Sequence, residues 1–412
     1  MEKDIINPKI NWKKNTTLFL TSQTVSLFGS SLVQYAITWY ITLETKSGTM
    51  MMISILCGFL PTLLLSPFGG VWADRYDRKK LIILADGSIA ITTLILAILY
   101  MTGHGAIWLL FLASAIRALG AAVQTPSVGA FLPEIVPEEK LMRVNSINGS
   151  IQAATMLLSP VLSGVLLTFT TLQNVFLIDV VTAAIGMSIL GFALKVPKRE
   201  RGLLDPDVPY FNDLKDGFRY IKNHHFLQTF FRYYALLLFL VAPGAFLTTL
   251  QVTRVFGSDV WRLTLIEVCF SVGMMGGGIL LGIWGGFKNR ANTMVLGTLF
   301  MGICTFGLGL VSWFWIYLAV MVIFGVSLVL FSTPAGVMIQ EKVEDEFMGR
   351  VFGVMTMISS SMMPLGMLLF GPVADWISIE FILIVTGILI AVLSISMYRS
   401  ELGKENPKLI KE

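Results

Sequence analysis

The chain has 412 residues, of which 55% are hydrophobic and only 14% charged, with a formal net charge of +4. Its mean hydropathy of +0.75 is far too apolar for a water-soluble protein of this length. Its bases are scattered over short segments rather than gathered in one stripe, which argues against nucleic-acid binding.

Apolar runs of about 20 residues, each able to cross a ~30 Å hydrocarbon core as a helix, recur along the whole chain. Twelve are expected, at about 16–43, 49–72, 81–101, 106–130, 146–169, 175–195, 226–252, 263–286, 292–312, 314–339, 350–373 and 379–398. Barrel strands would alternate over ~10 residues, a pattern this sequence lacks. The fold class expected is therefore an all-α polytopic membrane protein with twelve transmembrane helices. The first fifteen residues are polar and the first apolar run is itself long enough to span, so no cleavable leader is expected.

Charge then orients the chain. With the N-terminus inside, the inner segments collect Lys13 and Lys14, Arg75 to Lys80, Lys140 and Arg143, and the bases between Lys195 and Lys222. They continue with Lys288, Arg290, Lys342, Arg350 and the C-terminal bases, against Lys46, Arg254 and Arg262 outside. The positive-inside rule predicts both termini in the cytoplasm.

The segment between spans 2 and 3, Gly70-Val71-Trp72-Ala73-Asp74-Arg75-Tyr76-Asp77-Arg78-Lys79-Lys80, is a dense knot of charge in a loop too short to fold alone. At mid-chain the polar stretch 197–225 carries Phe211, Leu214, Phe218 and Ile221 at helical spacing. It is read either as an amphipathic helix on the membrane surface or as a helical linker. It divides the chain into 1–195, 196–225 and 226–412. The flanking halves repeat: Thr125-Pro126 matches Thr333-Pro334, Arg143 matches Arg350, and Pro160 matches Pro364. Small residues step through span 2 (Gly58, Thr62, Ser66, Gly70) and span 8 (Gly278, Gly282, Gly286), a spacing that predicts close helix approach. Two such halves suggest a substrate cavity between them and rocking of one against the other.

Charges inside spans are costly unless paired or facing water. Arg117 falls near mid-membrane. Asp86, ~9 Å in from the inner edge at 1.5 Å per residue, is read either as a proton carrier or as a permanent partner of Arg78 or Arg117. Glu267 sits shallow on the outer side of span 8, as a proton-entry acid or a solvated helix-end acid. Asp179 is expected at an interface, and Arg232 as a lipid anchor. Gln23, Gln34, Tyr35, Gln124 and Tyr234 are candidate cavity residues, each with helix packing as the alternative. Cys57, Cys269 and Cys304 are expected as small apolar packing residues. No nucleophile–base pair, phosphate loop, metal cluster or cofactor motif is found, so an enzyme is not expected.

Gly70, Asp74, Arg75, Arg78 and Lys79 fit the signature loop of the major facilitator superfamily, Gly-x-x-x-Asp-Arg-x-Gly-Arg-Lys, which this chain resembles over its whole length. Asp77 in place of the usual glycine, Ala85-Asp86 and Leu265-Ile266-Glu267 are similar to the branch of drug–proton antiporters that contains macrolide efflux proteins. The resemblance implies two pseudo-symmetric six-helix bundles. It implies a conformational latch formed by Gly70, Asp74, Arg75, Arg78, Lys79 and Arg350, with Asp74 meeting the start of span 11. It ties Arg117 to proton coupling, for which Asp86 and Glu267 are the candidate acids by their position in the spans. Two departures stand out: the second-half loop from Gly282 to Arg290 has glycine where the acid would fall. The antiporter signature of span 5 keeps Ser159, Pro160, Ser163 and Gly164 but has lost three glycines.

The function expected is export of hydrophobic drugs, most plausibly macrolides, by proton antiport with alternating access. The rivals are export of a siderophore or peptide, proton-linked nutrient uptake, and a transporter-like sensor that moves nothing. The partners expected are the lipid bilayer, a small hydrophobic drug and protons. The chain is expected to work as a monomer in a bacterial plasma membrane.

Overall fold

The computed structural model describes residues 12–194, 218–400 and 402, and every regular element among them is helical. The first six long helices are α1 (Trp12–Thr45), α2 (Gly48–Arg75), α3 (Arg78–Met101), α4 (Ile107–Ile135), α5 (Glu138–Phe169) and α6 (Leu172–Ala193). The second six are α7 (His225–Val255), α8 (Val260–Trp284), α9 (Arg290–Leu310), α10 (Phe314–Lys342), α11 (Asp345–Trp376) and α12 (Ile379–Arg399). Eleven of these, α2 to α12, are both long and apolar enough to cross a membrane among the described residues. The exception, α1, has the length with 34 residues, but Ser22, Gln23 and Ser26 dilute its hydropathy. Those side chains are buried in protein, where polar groups cost little if bonded. In α7 the run Pro243–Leu247 is wound as a π-turn, where proline cannot donate to the helical ladder. Of the mid-chain amphipathic pattern, Phe211 and Leu214 lie outside the described residues; residues 218–223 are helical, with Ile221 buried and Phe218 exposed.

The chain divides into two compact units, one comprising residues 1–41 and 53–204, the other residues 42–52 and 205–412. In the first unit, Val33, Ile37 and Phe176 form one apolar cluster and Phe19, Ile82 and Phe131 another. In the second, Phe230, Tyr234 and Phe331 stack through the core at centroid distances of 5.7 and 5.6 Å.

Small residues set close helix crossings, and the four-residue steps read from the sequence are met only in part: Thr62 of α2 donates to the Ala118 carbonyl of α4 at 3.0 Å. A Cβ at Gly278 or Gly282 would meet nothing within 4 Å, and the same holds for Gly70. The close contacts are made one face over. A Cβ on Gly273 would fall on the backbone oxygen of Val322, and one on Gly277 would press on Val326, so α8 lies directly on α10. In the first unit a Cβ on Gly69 would fall on the Ala122 oxygen, which places α2 on α4. With no water to drive association, such backbone contact is what small residues provide.

Residues 42–52 belong to the second unit, and Asp375 holds them. Its carboxylate accepts from Gly48 N at 2.6 Å, Thr49 N at 2.9 Å and Ser47 Oγ at 2.8 Å, capping the start of α2. Arg254 completes the clasp, donating to Asp375 Oδ1 at 2.9 Å and to the Lys46 and Ala374 carbonyls. A carboxylate at a helix N-terminus meets both its orphan N–H groups and its positive dipole end. Asp375→Ala is expected to cost about 1–2 kcal/mol, the upper range for a lost cap. A thermal melt in detergent checks this, and an unchanged melting temperature would contradict it.

Candidate functional site

Two stacked rungs of polar side chains run through the first unit. On α3, Asp86 and Thr93 are seven residues apart, and on α4 so are Arg117 and Gln124. Two helical turns therefore put each pair on one face, ~10 Å apart along the axis. On α1, Gln23, Ser26 and Ser30 share a face at three- and four-residue spacing. Glycines bring the elements together: a Cβ on Gly29 would clash with Thr182 and Asp179 of α6, and one on Gly186 with Ser22 of α1.

The first rung centres on Asp86, which is 4% exposed. Ser26 and Gln124 side chains hydrogen-bond to it, and Gln124 Nε2 donates to Gln23 Oε1 at 3.0 Å. The second rung centres on Arg117 and Asp179, 6% and 0% exposed. Arg117 Nη1 donates to Asp179 Oδ2 at 2.6 Å and also contacts Thr93 Oγ1, while Nη2 donates to the Ser30 carbonyl at 3.0 Å. Thr93 Oγ1 donates to Asp179 Oδ2 at 2.9 Å, and Ser30 Oγ to Oδ1 at 3.1 Å.

This geometry corrects one expectation and narrows another. Asp179 is not an interface residue; it is the buried counter-ion of Arg117. Of the two readings of Asp86, the ion pair with Arg117 or Arg78 is not the one seen: Asp179 pairs with the first and Glu134 with the second. Sequence reading missed Asp179 as a site residue, because its pairing with Arg117 across 62 residues is not written in the spacing of either helix.

The signature loop braces this same unit. Arg78 donates to Glu134 Oε1 and to the carbonyls of Ala73 and Ala130, each at 2.8 Å. Lys79 Nζ donates to the Gly191 and Leu194 carbonyls at 3.0 and 2.8 Å, where the end of α6 is negative. Asp77 caps α3, accepting from Lys80 N at 3.1 Å, which explains an acid where the signature has glycine. Arg75 is exposed, and the side chain of Asp74 lies outside the described residues. In the second unit, Arg350 lies over the Phe347 ring at 5.3 Å. Gly286 stands where a second acid would fall, with φ +75, and Gly285 has the same φ. A side chain there would be strained, since α8 ends in a left-handed glycine cap.

The span-5 motif is packed inside the first unit. Ser159, Pro160, Ser163 and Gly164 are all buried, and Ser163 Oγ donates to the Leu32 carbonyl of α1 at 3.1 Å. Tyr234 is buried in the aromatic stack of the second unit. Gln34 is exposed, and Tyr35 is half-buried against Trp39 at 5.8 Å. Glu267, half-buried on α8, has no hydrogen-bond or ion-pair partner among the described residues.

The Major Facilitator Superfamily model matches residues 19–367. The chain belongs to that superfamily. Among curated relatives, it is 30% identical over 387 residues to macrolide efflux protein A of Streptococcus pyogenes, covering 93% of this chain and 95% of that protein. It is 25% identical over 371 residues to a staphyloferrin A transporter of Staphylococcus aureus, covering 87% and 89%. Among solved structures, a D-xylose–proton symporter superposes with a TM-score of 0.70 at 13% identity, covering 95% and 99%. The protein is thus a multi-pass membrane transporter of the major facilitator superfamily and not an enzyme.

Proposed function

We propose that this transporter exports hydrophobic drugs, macrolides among them, by proton antiport, from a bacterial plasma membrane with both termini in the cytoplasm. The observation that carries the coupling is the two-rung ladder of the first unit, where an acid with no cationic partner among the described residues is buried beside a neutralised ion pair. Such groups inside a membrane protein are expensive and mark ion pathways. The full-length similarity to a macrolide efflux protein supports the substrate class. One charge moved through 100 mV yields ~2.3 kcal/mol, and a pH gradient adds ~1.4 kcal/mol per unit. Together they sustain a gradient of a neutral drug of roughly a hundredfold or more per proton.

A second reading, export of a siderophore, is favoured by the similarity to the staphyloferrin A transporter. Expression in a pump-deficient bacterium separates them. Raised resistance to erythromycin that a protonophore abolishes supports macrolide antiport. An unchanged inhibitory concentration would exclude it.

A further inference from the structure

We infer that Asp179 is the fixed counter-ion of Arg117, a positioning residue whose neutralising charge leaves Asp86 as the proton-carrying acid of the first unit. The inference deepens the antiport reading and rests on it for its link to transport, but the charge assignment can be tested without any drug.

Counting charge across the two rungs gives two acids and one base, all buried. A buried charge is tolerated when it is paired and fully hydrogen-bonded, and is expensive otherwise. Asp179 meets that condition. It receives Arg117 Nη1 at 2.6 Å, Thr93 Oγ1 at 2.9 Å and Ser30 Oγ at 3.1 Å, and no part of it is exposed. A proton placed on it would leave the guanidinium without a counter-charge.

Asp86 has the opposite surroundings. The groups that hydrogen-bond to it are neutral, Ser26 from α1 and Gln124 from α4, while the charge that acts on it among the described residues is that of Asp179, another acid. Ionised, Asp86 leaves the ladder with an uncompensated negative charge; with one proton on a carboxylate oxygen, the ladder is neutral. Proton gain and loss therefore fall on Asp86, while Arg117 and Asp179 keep their charges throughout. Glu267, the other acid considered for coupling, lies in the second unit and takes no part in this balance.

Removing the charge of Asp179 alters that assignment. In Asp179→Asn the guanidinium is left unpaired, and the acid that remains in the ladder, Asp86 one rung away, keeps its negative charge to balance it. Infrared difference titration of the purified full chain reads this directly. The carboxylic-acid band that titrates in the wild type and vanishes in Asp86→Asn belongs to Asp86. It should persist in Asp179→Glu, vanish in Asp179→Asn, and return in Arg117→Gln/Asp179→Asn, where no unpaired cation remains. Persistence of the band in Asp179→Asn, or a second titrating band removed only by that change, would overturn the inference. Should Asp179→Asn fail to fold, Asp179→Glu and the paired variant decide, because loss of the band in either contradicts it.

Proteoliposomes supply the transport arm. Erythromycin uptake driven by a pH gradient should fall at least about tenfold in Asp179→Asn, equivalent to ~1.4 kcal/mol, and be restored by Asp179→Glu. Wild-type protein that shows the infrared pattern but no gradient-driven erythromycin uptake would sink the antiport proposal and leave the charge assignment standing.

Discussion

A leucine at Gly273 or at Gly325 is expected to eliminate folded, detergent-stable protein. A Cβ at Gly273 would fall on the Val322 oxygen and one at Gly325 on the Phe270 oxygen, both well inside 3.0 Å. The obstructing atoms are backbone, so no rotamer change relieves the clash and α8 must part from α10. Overpacking by a side chain that neighbours can accommodate costs about 1–3 kcal/mol; separating two helices forfeits their whole contact as well. Alanine at Gly278 or Gly282, with open space around each, should change stability by no more than about 0.5 kcal/mol. Size-exclusion profiles and thermal melts of the four variants check both halves. A tolerated leucine at Gly273 would contradict the packing described here.

Arg117→Met is expected to be nearly as damaging, for an electrostatic reason. It strands the Asp179 carboxylate with no counter-charge in a site that is 0% exposed. Breaking one side of a buried ion pair costs about 3–5 kcal/mol. Replacing both partners with apolar residues of similar volume, as in Arg117→Met/Asp179→Leu, should return stability to within about 1 kcal/mol of wild type. The measurement is a thermal melt of single and double variants. A double variant no more stable than Arg117→Met would show that the pair does more than balance charge.

The helical spans were legible because a membrane imposes one signal, a long apolar run, that needs no tertiary information. What lay beyond the sequence was the phase of contact around each helix. In α8 the glycines at 273, 276, 277, 278 and 282 offer more than one smooth face, and the partner helix alone decides that Gly273 and Gly277 are the buried ones. Arg117 and Asp86 stood out as intramembrane charges, and the structure places both in one ladder. The partner of Arg117 was hidden because Asp179 is 62 residues away in the chain, on a helix with no other charged residue to mark a polar face. The seven-residue spacing of Asp86 with Thr93 and of Arg117 with Gln124 was available, but it becomes a signal once α3 and α4 are known to face each other. Asp77 and Gly286 looked like departures from the signature. Local backbone explains both, one as a helix cap and the other as a left-handed turn.

Everted membrane vesicles carrying the transporter, energised to an acidic interior and then given erythromycin, measure whether drug and proton move against each other through Asp86. Wild-type vesicles should show immediate drug-triggered proton efflux, and Asp86→Asn vesicles with equal protein should show none. Proton efflux of wild-type size in Asp86→Asn would contradict the account.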